Sequence, residues 1–239
     1  QCKMPVITAD SIDITVIWSF MVIFARLTGL FTTLPGVGTD QIDLEIRIPI
    51  VLTLSFIITI SGFTAVEADG LLDGTVILGL EFLYGIALGF IPAIIISAVS
   101  VSGQVIAGAI GLGQANMIDP SLGESVSVIA RLQTLIATVL FLFIDGHHAI
   151  IKVATDMSLP LSGAYFQANH NVAMMFVDLF VRSFDLAMIV AMPVLVTVLV
   201  TQFVLGLITR FVPQINIFII SLPISILVGL FILALTIPQ

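Results

Sequence analysis

The sequence predicts an all-α integral membrane protein of helical hairpins, with interrupted helices and a glycine-rich internal plug loop. Three observations carry that prediction. Apolar residues make up 59% of the 239 positions and charged residues only 9%, where a soluble domain carries about 25% charge. Long apolar stretches recur between polar connections, and the length suits about six or seven helical segments of about 20 residues each. Finally, the run from Phe82 to Ile118 holds no charged residue. As a single helix rising about 1.5 Å per residue it would reach about 55 Å, well beyond a bilayer core of about 30 Å. The whole chain, 1–239, reads as one polytopic membrane domain.

The formal charge of −8 excludes nucleic acid as a partner, because phosphates demand a basic surface. Only seven Lys and Arg exist, Lys3, Arg26, Arg47, Arg131, Lys152, Arg182 and Arg210, too few for the positive-inside rule to set an orientation. Their scarcity suits a protein not held by lipid on every side. Cys2 stands alone, which excludes an internal disulfide or a cysteine metal site. The opening QCKMP lacks the basic and apolar regions of a signal peptide, so the chain is expected to begin inside a longer encoded protein.

Asp10 and Asp13 precede a first apolar helix, Ile14 to Leu34, as acids should near a helix N-terminus. Arg26 lies within it, at about 3 kcal/mol on insertion scales if central. Two readings stand, a side chain reaching to the interface or an interhelical ion pair. Pro35-Gly36-Val37-Gly38 ends the helix. A second apolar run, Ile48 to Val66, opens with Pro49, placed where a first-turn proline is tolerated.

The long run follows the acidic loop VEADGLLDG. Glu81 near its start is either ion-paired or cavity-facing, or else sits at the membrane interface. Gly85 and Gly89 form a small-xxx-small pair for close helix approach. Further on, Gly103, Gly108, Gly111 and Gly113 raise the cost of a regular helix, so the run is expected to break there. Backbone that leaves the helix at membrane depth must be buried in protein or line a cavity. The competing reading is a helix whose glycines make a close helix contact.

Asp119-Pro120 marks a boundary, after which Ser121 to Ile144 resumes a helical pattern with Arg131 inside. Asp145-Gly146-His147-His148 reads as a turn. Its paired histidines are not taken as a metal site, since adjacent positions do not share a helix face and no third ligand is spaced to match. A short segment, Ala149 to Leu159, carries Lys152 and Asp156 at i and i+4. From Val172 a long segment holds Asp178, Arg182 and Asp185, whose spacing of four then three places them on one helix face with Arg182 flanked by both acids. Acids stacked on one helix cannot face each other as a protease dyad. Pro193 is expected to bend or interrupt this segment. Arg210 to Asn216, with Pro213 and Gln214, forms a second break before the last apolar helix, Ile217 to Pro238, after which a C-terminal extension is expected.

Several of these stretches resemble the family of FliR, the flagellar export-gate membrane protein, and its type III secretion relatives. LPGVG after the first helix is similar to the family's Pro-Gly turn, and Glu81 with Gly85 and Gly89 to its acid-and-glycine helix. The segment Gly103–Pro120 resembles a glycine loop running into Asp-Pro. FLFIDGHHAIIKVATDMSLPLSG (141–163) and GLITRFVPQINIF (206–218) match two further recurrent stretches. Ala109-Ile110 stand where many members have Gln-Met, so no role for a methionine at that point carries over.

The resemblance implies a subunit of the bacterial inner membrane at the flagellar basal body, partly raised to the periplasmic side. It implies a closed pore made with FliP-like and FliQ-like subunits, an FlhB-like neighbour, and unfolded exported proteins in transit. It assigns a pore plug to Gly103, Gln104, Gly108, Gly111, Leu112, Gly113 and Met117. Helix breaks fall at Asp119, Pro120, Pro213 and Gln214. Structural or inter-subunit roles fall to Glu81, Arg131, Asp178, Arg182, Asp185 and Arg210. No catalytic residue, metal or cofactor is expected. A secondary transporter with broken helices is the alternative, though no inverted repeat is visible. An intramembrane enzyme lacks any Ser–His, paired-Asp or metal-ligand spacing.

Overall fold

The computed structural model describes residues 14–38, 42–62, 65, 68, 70–111, 128–155, 170–211 and 217–236, with backbone alone at 170–173, 209 and 217–219. Among these residues there are seven helices and no strand. They are α1 (Ile14–Thr33), α2 (Leu44–Ile60), α3 (Leu71–Ala109), α4 (Val128–Phe143), α5 (Gly146–Thr155), α6 (His170–Phe211) and α7 (Ile217–Thr236). Three stretches, α1, α3 and Met174–Ile208 of α6, are long and apolar enough to cross a membrane. The pair α4 and α5, bent by 59° at Ile144–Asp145, makes a fourth if counted as one span. The described fold is therefore an all-α membrane protein. The helices group into two compact units, Gln1–Ala93 with Thr138–Val177 and Ile94–Ala137 with Asp178–Gln239.

In the first unit α1 is central. Val22, Ile23, Leu27, Leu30 and Phe31 bury one stripe of it against Val51 of α2, Ile77 of α3 and Ala154 of α5. The spacing of one, three and four residues is that of a helix face. The turn Pro35–Gly38 follows as the sequence predicts, with Gly36 at φ 86°, a left-handed conformation that glycine adopts without strain.

Helix α2 starts four residues earlier than the apolar run suggested. Asp43 is extended and its carbonyl accepts the Ile46 and Arg47 amides at 3.1 Å each. Pro49 is therefore inside the helix and not in its first turn, removing the donor that would reach the Glu45 carbonyl. The buried stripe of α2 is Arg47, Val51, Ser55 and Thr59, while Ile46, Ile50, Phe56 and Ile57 are exposed. Ser55 and Thr59 donate to the carbonyls of Val51 and Ser55, at 2.7 and 2.8 Å, so their burial leaves no hydroxyl unmet. Polar inside and apolar outside is the inverse of a soluble helix, and it suits surroundings of lipid or apolar protein.

The contact of α1 with α3 is close enough to exclude side chains. A Cβ on Gly85 would strike the Arg26 carbonyl and one on Gly29 the Phe82 carbonyl, while one on Gly89 would meet the Thr33 hydroxyl. Thr33 Oγ1 uses the same proximity to donate across to the Ile86 carbonyl at 3.2 Å. The small-xxx-small pair read from sequence thus docks on α1.

At this contact Arg26 is buried and paired. Its Nε donates to Glu81 Oε2 at 2.7 Å, with the two side chains 5% and 2% exposed. Its Nη1 donates to the Ala154 carbonyl of α5 at 2.9 Å, and its guanidinium carbon lies 5.2 Å from the centroid of the Tyr84 ring. Of the two readings open for each residue, the ion-paired one holds. Tyr84, three residues after Glu81, shares its helix face, a signal the sequence contained. The Ala154 carbonyl had no such signal.

Two predictions follow from this unit's packing. Arg26→Ala leaves the Glu81 carboxylate buried without its base, a loss of about 3–5 kcal/mol; thermal unfolding in detergent should read it, with Arg26→Met/Glu81→Leu recovering part of the loss. Gly85→Leu forces a side chain into the α1 backbone, at about 3 kcal/mol or more, whereas Gly79→Leu, where a Cβ meets nothing within 4 Å, should melt like the unaltered chain.

Candidate functional site

The uncharged run supplies the candidate site, and its helix persists longer than expected. Ile106, Ala107 and Ile110 at the end of α3 are buried with Ile129 of α4, Ala191, Val194 and Val198 of α6, and Leu233 of α7. Gly103, Gln104 and Gly108 all lie inside α3, which runs unbroken to Ala109. The expectation that the chain leaves the helix from Gly103 is corrected. Packing on one face of 98–110 stabilises these turns by more than two glycines cost, about 1 kcal/mol each.

The three positions differ in what they do. A Cβ on Gly103 would stand 2.5 Å from Ala130 Cα and 2.5 Å from Gln133 Oε1, so Gly103 is a helix-contact glycine, the competing reading. Beside it Ser102 Oγ lies 3.5 Å from the buried Gln133 Oε1. Gly108 is exposed and a Cβ there would meet nothing within 4 Å, and Gln104 is exposed too. Gln133 was not singled out from the sequence, where one glutamine in an apolar helix carries little signal.

The helix ends at Gly111, which has φ 87° and whose amide bonds the Gly108 carbonyl at 3.2 Å. A left-handed residue here turns the chain out of the helix, and a Cβ would come 2.9 Å from the Leu222 side chain. Gln202 of α6 donates to the freed Ala109 carbonyl at 3.4 Å, so α6 supplies one of the partners that the helix end lacks. Gly229 of α7 gives Ile110 its room, since a Cβ there would collide with Ile110 Cγ2. Leu112, Gly113, Met117, Asp119 and Pro120 lie outside the described residues.

Helix α6 runs through Pro193 without interruption, so of the expected bend or interruption the second does not occur. The ring removes one bond, to the Ile189 carbonyl, and the Ala191–Val194–Val198 packing holds the backbone on either side. The second break does follow Arg210, with α6 ending at Phe211; Pro213 and Gln214 lie outside the described residues.

The charged residues fall into two groups. Glu81 is buried and paired as described above, whereas Arg131, Asp178, Arg182, Asp185 and Arg210 are all exposed on this chain. Arg182 Nε bonds Asp178 Oδ2 at 2.8 Å, with side chains 74% and 61% exposed. Asp185 makes no ion pair among the described residues, so Arg182 is engaged by one acid and not flanked by two. Arg47, placed in a polar connection by the sequence, is instead buried at 4% exposure. Its Nη2 donates to the Ile42 carbonyl at 2.8 Å, and its Nε and Nη1 have no partner among the described residues.

The turn before α5 also departs from its sequence reading. Asp145 sits at φ 58°, accepts the Ala149 amide on its carbonyl and approaches His148 Nδ1 at 3.1 Å, making it the N-terminal cap of α5. His147 and His148 stack at 4.2 Å between ring centroids. The donor atoms of all three residues fall within 4.8 Å of one another, so a third possible ligand does exist. Asp145 and His148 are largely exposed, and a helix N-terminus disfavours a cation; capping accounts for the arrangement.

This geometry accompanies a clear relationship. Residues 17–239 match the family described as bacterial export proteins, family 1. The chain is 29% identical to the flagellar biosynthetic protein FliR of Aquifex aeolicus over 98% of its own length and 90% of that protein's. Similarity to FliR of Bacillus subtilis is 28%, over 88% and 83% of the two chains. The surface presentation of antigens protein SpaR of Shigella sonnei is 27% identical, over 88% and 82%. These matches are to export and flagellar biosynthetic proteins, none of which is named for an enzymatic activity. With its all-helical architecture and match over nearly the whole length, the chain belongs to the FliR family of bacterial export proteins, components of the type III export apparatus in the inner membrane.

Proposed function

We propose that this chain is a subunit of the export gate, forming with FliP-like and FliQ-like subunits a closed pore for unfolded proteins and contributing a plug from the segment that follows Gly111. An FlhB-like subunit would adjoin the assembly. The observation that carries the reading is how α3 ends. A helix of 39 residues, about 58 Å long and about twice a bilayer core, carries no charge from Phe82 onward and stops in a buried apolar seam at a left-handed glycine. The residues from Leu112 to Ile118 continue without charge. Apolar constrictions close pores by excluding water. Gly103 and Gly108 leave the plug in this reading, because they belong to the helix that anchors it.

The exposed surface supports an assembled subunit. Helix α6 has 42 residues, about 63 Å, and presents Phe180, Phe184, Ile189 and Phe203 alongside the Asp178–Arg182 pair. Ionised groups on a lipid-facing helix centre cost about 2.5–3.5 kcal/mol each on insertion scales, so this face belongs against protein or water. We assign it, with Arg131 and Arg210, to contacts between subunits. The elevation of part of this surface above the bilayer on the periplasmic side belongs to the same proposal.

Deleting residues 112–117 in the assembled complex should make the membrane leak ions while the complex is still recovered, because the deletion spares buried Ile106, Ala107 and Ile110. Unchanged conductance in vesicles would remove the plug. Arg182→Ala should lower recovery of the complex with its partner subunits; full recovery would count against the inter-subunit assignment.

A further inference from the structure

On α6, the face that carries Asp178, Arg182 and Asp185 is left with one charge unanswered. Asp178 and Arg182 close on each other at 2.8 Å through Arg182 Nε. Asp185, almost one turn further, is exposed and in no ion pair among the described residues, so the three together carry a net −1. Their surroundings are strongly apolar: Val181, Phe184 and Leu186 are exposed, as are Phe180 and Ile189 beyond them. Water does not suit this apolar surface, and lipid does not suit the carboxylate. A protein surface that is itself apolar and carries a cation opposite Asp185 satisfies both.

Resting on the reading of this chain as an export-gate subunit, we infer that this face of α6 docks an apolar helix of a different subunit whose Lys or Arg pairs with the Asp185 carboxylate. Two other occupants are disfavoured by charge. A second copy of this chain would bring the same net −1, and the one base on its matching face, Arg182, is already held by Asp178. Anionic lipid headgroups would be repelled by the acid. An apolar helix with one base fits because the base answers a carboxylate that would be costly to bury alone, while the flanking Phe180 and Phe184 supply area. Burial also raises the penalty for a wrong charge at this position, so the contact sets partner choice as well as affinity.

The experiment is co-purification of the full complex from cells carrying Asp185→Asn or Asp185→Lys and, in a separate strain that keeps Asp185, a photo-crosslinking residue at the neighbouring exposed position 189. Asp185→Lys places like charges opposite each other and should lower partner recovery at least about tenfold. Asp185→Asn should give a smaller loss. The crosslink should fall on an apolar helix of another subunit next to a Lys or Arg, and replacing that base with Glu should restore the Asp185→Lys complex. Because residue 185 is exposed, the thermal unfolding of the variant chain alone should match the unaltered one, which separates lost docking from lost folding. Normal recovery of Asp185→Lys would overturn the inference, as would a crosslink to a second copy of this chain or to lipid. If Arg182→Ala weakens assembly while Asp185→Lys does not, the face is still an interface and only the opposing base is refuted. If neither substitution matters, the inter-subunit reading of the face fails with it.

Discussion

The Arg26–Glu81 pair is the interaction on which the first unit depends. An arginine and a glutamate buried to 5% and 2% exposure are tolerable only if each meets the other and the remaining donors are met as well. The geometry does this with three helices: α1 supplies the base, α3 the acid, and α5 the Ala154 carbonyl. Such a pair specifies the arrangement more than it stabilises it. Sliding α3 by one turn along α1 would strand both charges, and it would also drive α3 side chains into the space that Gly29 and Gly85 leave free. Charge and close backbone approach therefore select the same register.

The second unit is held by a different kind of complementarity, with hardly any charge in its core. Ile106, Ala107 and Ile110 interlock with the small and branched residues of α6 and α7, and Gly103 lets α4 come against α3. Helices in apolar surroundings associate through close packing because lipid tails are as apolar as the side chains they would replace. This explains why α3 persists through two glycines. Its final turns are packed on one side, and only at Gly111, where a positive φ is adopted, does the helix end.

Both units leave a surface that would be untenable in water. Helix α2 hides Arg47, Ser55 and Thr59 and shows its isoleucines, and α6 shows a row of phenylalanines interrupted by an ion pair. Helices longer than a bilayer is thick cannot be clad by lipid along their whole length. The natural state of such a chain is within an assembly, which fits its place among the export proteins.

Much of the architecture was legible in the residues, since composition, apolar run length and prolines report directly on solvent and on where a helix must stop. The all-helical membrane class, the Pro35–Gly38 turn, the close approach at Gly85 and Gly89, and the end of α6 near Arg210 all followed from these local signals. The sequence also narrowed Arg26 and Glu81 to two readings each. What only tertiary structure decided was every outcome set by a neighbour distant in the chain: the pairing of Arg26 with Glu81, the helical state of Gly103 and Gly108, the burial of Arg47, and the continuity of α6 through Pro193. Propensity costs of about 1 kcal/mol per glycine and about 3 per proline are comparable to what one well-packed side chain returns on burial. The balance at such positions therefore depends on who packs beside them, and that information is not local.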